Sequence, residues 1–381
     1  MKWRNGSKFF ALWGLVMLSW VGPGAAMAQV TLTDIEGHDI TLDHPAKHIV
    51  LAEGRQLMAL ALLSDEPEQL LAGWGSDLKR SQALYALYQR RFPALDDVTV
   101  VGDGPGPNGV SAETILSLDP DAVVLSRSQT PPAQSGELLA QLKAAGIPVV
   151  YIDFATDPLH DTVPSLRALG KLIGMNARAE RYIAFYESVR TPIEARVDQA
   201  VASLKRPSVM IEAHAGGMND CCYSPGQGSF ESFVRLLHAD SIGADVLKKK
   251  SGRLDPQYIL ARDPDVYIAT GGSYLAGTGG LVLGPGYSDE QARQSLQHIL
   301  QRPLIGALSA VRTGRVHGLY HHLINTPYNI LVLQAMAKWL HPELFADIDP
   351  QSTLAAINDR FASVALDGAL WVDLQPADTR K

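Results

Sequence analysis

The chain has 381 residues, 46% of them apolar, with 33 basic against 40 acidic residues and a net charge of −7. That acidic balance argues against nucleic acid as a partner, and no low-complexity tract or long charge block marks a disordered tail. Single cores usually stop growing beyond about 250–300 residues, so two lobes are expected.

In chain order, residues 1–28 read as a cleaved signal peptide. Lys2, Arg4 and Lys8 give a basic start, Phe9 to Val21 an apolar run, and Ala26 and Ala28 a small-x-small pattern before Gln29. A bilayer-spanning helix needs roughly 20 apolar residues, more than this run supplies. No cysteine follows it to carry a lipid anchor, and no second apolar run of membrane length exists. A chain exported to the periplasm, not embedded in a membrane, is expected.

The rest alternates short β-branched runs with helical patterns, which predicts α/β architecture with mainly parallel sheets. "HIVLAE" (48–53), "DAVVLS" (121–126) and "VVYID" (149–153) read as strands of a first lobe, residues 29–174. "SVMIEA" (208–213), "DVYIAT" (265–270) and "RVHGLY" (315–320) read as strands of a second, residues 206–381. Continuous apolar runs of this kind suit strands buried on both faces. "AETILSLDPDAVVLS" (112–126) and "PQYILARDPDVYIAT" (256–270) share a helix, an Asp-Pro-Asp turn and a strand, as duplicated units would. Between the lobes, residues 175–205 read as one long helix. Asn176 is its expected N-cap, Tyr182, Tyr186, Val189, Ile193 and Val197 form an apolar face, and Pro192 is expected to bend it.

Two α/β lobes joined by a long helix in an exported chain resemble the helical-backbone (class III) substrate-binding proteins of ABC importers, which carry ferric siderophores, cobalamin or haem. The most specific likeness is in "AVRTGRV" (310–316) and "MAKWLHP" (336–342), together with the two Asp-Pro-Asp units. The resemblance implies two Rossmann-like lobes, a ligand in the cleft between them, no catalysis and no resident cofactor. It also implies delivery of the ligand, by a monomer, to an inner-membrane permease. Ligands of open α/β sheets bind at the carboxyl ends of the strands, so the loops after the strands become the candidate wall.

Those loops offer Arg55, Trp74 and Arg127 from the first lobe. From the second they offer His214, Tyr274, and the cluster Tyr320, His321, His322 and Asn325. Arginine forks suit the oxygen-rich, anionic groups of a ferric chelate. Adjacent His321 and His322 would face opposite ways if extended, so hydrogen bonding or stacking on a chelate is expected rather than direct metal ligation. The glycine-rich 101–113 loop has Asp103 after Gly102, where haem-binding relatives carry a tyrosine; that departure counts against haem.

Cys221 and Cys222, the only cysteines, precede Tyr223 in a strand-to-helix loop on the cleft side. Three states stay open: a vicinal disulfide, two thiols packed as small apolar groups, or metal and intermolecular pairing. In each the pair and Tyr223 shape the ligand wall. For the permease, the resemblance implies an acidic contact on each lobe. Glu113 matches in the first; in the second Gln257 stands at the matching position and Asp255 two residues earlier. The functional expectation is a ferric siderophore carrier, with cobalamin or haem as alternatives on the same fold. A secreted serine hydrolase is the rival from another class. It would use Ser229 with His214 and Asp220, but "GQGSF" is not a G-x-S-x-G elbow and Ser229 reads as a helix N-cap.

Overall fold

The computed structural model describes residues 29–103, 109–127, 132–217 and 221–374, with Met1 and Trp3. The rest of the segment read as a signal peptide, residues 104–108 of the glycine-rich stretch and Asp220 lie outside the described residues.

A hairpin, β1 (Val30–Thr33) with β2 (Asp39–Leu42), precedes the first sheet. That sheet contains β3 (Ile49–Leu51), β4 (Leu71–Gly75), β5 (Thr99–Gly102), β6 (Ala122–Ser126) and β7 (Val149–Ile152). Its order is β5-β4-β3-β6-β7 and every pairing is parallel. The second half supplies β8 (Ser208–Glu212), β9 (Tyr223–Pro225), β10 (Asp240–Ser241), β11 (Ser251–Arg253), β12 (Val266–Gly271), β13 (Val316–Tyr320) and β14 (Trp371–Asp373). Its main sheet runs β10-β8-β12-β13-β14, parallel except for β14, and β9 pairs with β11 in a separate antiparallel ribbon. The α/β fold with two mainly parallel sheets is as expected. All six strands read from the sequence form, because continuous apolar runs such as β12, buried at every residue, need cover on both faces.

The repeated Asp-Pro-Asp turn has the same mechanics in both lobes. Asp119 ends the helix Ala112–Leu118 at φ 46°, and Asp263 ends the helix Pro256–Arg262 at φ 36°. Aspartate tolerates this left-handed corner better than most side chains. Two residues on, the Asp121 carboxylate accepts from the amides of Lys47 and His48 (2.7 and 2.9 Å), and Asp265 accepts from the amide of Ser208 (2.8 Å). Each turn thereby tethers the head of the neighbouring strand.

A helix of 25 residues, Asn176–Ala200, connects the halves and runs through Pro192. At 1.5 Å per residue it is roughly 37 Å long. Its cap position is Met175 and no side chain caps it, so the expected Asn176 cap is not made. Tyr182, Tyr186, Ile193 and Val197 are buried, as the apolar face predicts. The helix is stitched to both halves. Arg178 donates to Leu62 O (2.9 Å), Tyr182 to Pro327 O (2.9 Å), and Tyr186 to Asn329 Oδ1 (2.9 Å). The Asn329 amide reaches on to Thr162 Oγ1 (2.8 Å) in the first lobe. Among the described residues no helix is long and apolar enough to cross a membrane.

Candidate functional site

The carboxyl ends of both parallel sheets face one seam. From the second lobe, β8 leads into His214, held at φ 55°, where a non-glycine residue is uncommon and worth explaining. β12 leads into a 3-10 turn carrying Tyr274, and β13 into another carrying His321 and His322. The four rings form one cluster. His214 Nδ1 lies 2.8 Å from Tyr274 Oη, and its ring is 4.1 Å from that of His321. Thr270 Oγ1 binds His321 Nδ1 at 2.9 Å, and the Tyr274 ring is 5.6 Å from His322.

The first lobe answers with Arg55, in the turn after β3. Its guanidinium pairs with Glu53 and lies 3.5 Å from Asp77, while the amides of Gly54 and Arg55 donate to the Asp77 carboxylate (2.6 and 3.2 Å). Burial pushes Asp77 up to about 6; Arg55 opposes that and Glu53 adds to it. Arg55 is raised above its ordinary value, because Glu53 and Asp77 outweigh its own burial. Across the seam, burial lowers all three imidazoles, with Arg55 adding to the effect. His322 falls to about 3, and His321 is well below its ordinary range. At neutral pH the cluster is a set of uncharged rings beside an arginine whose charge is shared with two carboxylates.

A cavity of about 280 Å³ opens at the seam, lined by Thr156 of the first lobe and by His214, Tyr223, Phe230, Lys250 and His321 of the second, among others. The lobes also touch each other directly. Ser229 N donates to Thr156 O (2.8 Å), and Ser81 Oγ lies 2.5 Å from His322 Nε2. Gly228, at φ 79°, permits the first contact, since a Cβ there would meet Thr156 O at 2.6 Å. Lys250 Nζ reaches across to Thr156 Oγ1 at 3.5 Å.

Cys221 and Cys222 are joined in a disulfide across a cis peptide bond. Cys222 is buried, and its carbonyl accepts from Leu254 N (3.0 Å), while Ala213 N donates to Tyr223 O (2.8 Å). The disulfide thus heads the short ribbon that brings Tyr223 to the cavity. The nearby Glu212 carboxylate is held by Arg302 Nη1 and Nη2 (2.7 and 2.7 Å) and by Tyr267 Oη (2.5 Å).

Other candidates sit differently. Arg127 is committed within the first lobe, donating to Glu36 (2.5 Å), Asp161 (2.6 Å) and Ile35 O (2.9 Å). Trp74 and Tyr320 are fully enclosed at 0% and 1% exposure, and Asn325 is half-buried after the His321 turn. Glu113 is exposed in the first turn of its helix, and Asp255 is exposed at the cap position of its own, close along the chain to Lys250 of the cavity wall. Asp255 caps its helix by accepting from the amides of Gln257 (2.8 Å) and Tyr258 (3.0 Å). Ser229 occupies a cap position, at φ 53°, but its side chain makes no capping bond, contrary to expectation. Sequence reasoning did not name Ser81, Thr156, Phe230 or Lys250. Lys250 alone carried a signal, as the last of three consecutive lysines in an acidic chain.

The family model described as periplasmic binding protein matches residues 57–321. The TroA-like periplasmic binding protein FepB from Veillonella parvula is 25% identical, with a TM-score of 0.80 over 91% of this chain and 100% of its own. The molybdate periplasmic binding protein MolA from Haemophilus influenzae is 17% identical, with a TM-score of 0.65 over 89% and 99%. A periplasmic haem binding protein from Pseudomonas aeruginosa is 20% identical, with a TM-score of 0.54 over 78% and 94%. The last two share the fold alone. No curated protein matches the chain.

Proposed function

The chain belongs to the periplasmic binding protein family, and from that premise we propose that it captures a ferric siderophore between its lobes and hands it to an inner-membrane ABC permease. The observation that carries this reading is the seam cluster. Uncharged His214, Tyr274 and His321 lie side by side next to a cavity with Lys250 on its wall. Neutral imidazoles and phenols stack on, or hydrogen-bond to, the planar chelating groups around iron. Lys250 complements the negative charge such complexes carry. Glu53 and Asp77 are turned onto Arg55 and so repel an anion less.

The test is a fluorescence titration of residues 29–381 with ferric enterobactin, ferrioxamine B, ferric citrate, cobalamin and haemin. Saturable binding of one ferric complex near or below about 1 μM is the expected result. Silence from all three ferric complexes ends the siderophore reading, and saturation by cobalamin or haemin alone would replace it. Lys250→Gln is expected to weaken the anionic complexes several-fold and to reduce their salt dependence.

A further inference from the structure

The cavity beside His214 and His321 accounts for only part of the polar surface at the seam. Next to it His322, 7% exposed, meets Ser81 of the opposite lobe through Nε2, and its Nδ1 has no partner among the described residues. The Tyr320 ring stands 5.3 Å from this imidazole, and its Oη is unpartnered too. From the first lobe comes Tyr88 Oη, fully buried and without a partner among the described residues. The helix Gln82–Arg91 that carries Tyr88 packs on the Ser273–Thr278 turn of the second lobe, which places it at the same seam. Ser273 Oγ, just after β12, is in the same condition. Folded proteins leave few buried polar side-chain atoms unpaired, so a concentration of them drawn from both lobes needs an explanation.

We propose that the ligand site continues past His321 into this seam, where Tyr88, Tyr320 and His322 form a second compartment that donates hydrogen bonds to acceptor oxygens of the bound complex. The inference rests on the siderophore reading and extends it to these residues. The chemistry is one-sided. A phenol donates readily. When the Ser81 hydroxyl donates to His322 Nε2, the neutral ring carries its hydrogen on Nδ1 and becomes a further donor. No carboxylate is among these groups, so the compartment takes carbonyl, carboxylate or phenolate oxygens. Entry requires the Ser81–His322 contact to part.

The test compares Tyr320→Phe and Tyr88→Phe with the parent protein. Tm is measured without ligand, and affinity is measured for whichever of ferric enterobactin, ferrioxamine B and ferric citrate binds the parent. A hydroxyl with no partner in the free protein has nothing to lose there. The expected result is an unchanged or higher Tm together with at least about a five-fold loss of affinity. A lower Tm in both variants shows hydroxyls already satisfied, by buried water for instance, and overturns the inference whatever the affinity. Unchanged affinity at unchanged Tm overturns it while leaving the siderophore reading standing. Failure of all three complexes to bind the parent fells that reading, and this inference with it.

Discussion

At His322, protonation and lobe contact compete. Its imidazole is held down at about 3, against an ordinary 6.5, by burial, Arg55 and His214, and the His321 and His214 rings are lowered as well. These rings take up protons once the seam opens or the chain unfolds. Their contribution to stability is therefore complete above pH 6.5 and declines as pH falls towards about 3. Each ring removes at most about 1.4 kcal/mol per pH unit in that window. Asp77, raised from 3.8 to about 6, acts in the opposite sense between those two values, one carboxyl against three imidazoles. Tm is expected to fall between about pH 7 and about pH 4.5, and His322→Gln to flatten the slope; a Tm that rises over that range would contradict the assignment. Arg127 is predicted to act on stability alone. Arg127→Gln strips charged partners from Asp161 and Glu36 and should cost about 1–3 kcal/mol by denaturant titration, with chelate affinity unchanged. The sequence could not separate Arg55 from Arg127, since both follow a buried strand. What differs is the neighbour: Glu36 and Asp161 close around Arg127 within its own lobe, whereas Arg55 acts on Tyr274, His214, His321 and His322 across the seam.

Among the elements, the paired helix-turn-strand units were the most legible. Their Asp-Pro-Asp turns use local chemistry, a left-handed helix end followed by a carboxylate that binds amides of the next strand. β4, with its glycines, β9 and β11, of three residues each, and β14, remote in the chain, left no comparable trace. Two exposed acids at helix starts divide by their bonds. Asp255→Ala is expected to cost about 1 kcal/mol of stability, and Asp255→Asn much less, because asparagine still caps. Glu113 bonds no amide that the structure describes, and Ser111 caps that helix instead. Glu113→Ala should therefore leave Tm and chelate affinity alone while reducing uptake by cells, if this face meets the permease. Unchanged uptake would remove Glu113 from that role.

On the scale of the whole molecule, the seam is tight. A cavity of about 280 Å³ lies just under the roughly 300–1,000 Å³ usual for small-molecule sites, so a bulky chelate has to part the lobes. Small-angle scattering should show a radius of gyration that rises on binding, and a decrease would mean that the free protein is already open. The long helix limits how far parting can go, because Arg178, Tyr182 and Tyr186 tie it to both halves. Burial patterns and turn chemistry act over a few neighbouring residues, so the two α/β halves, the connecting helix and the strand ends at the seam were legible along the chain. Which polar groups meet across the seam became visible only in the folded chain. Ser81 with His322, Thr156 with Ser229 and Lys250, and the buried Tyr88 and Tyr320 lie far apart along the chain. Their pairing depends on how the two packed halves dock, which no local pattern encodes.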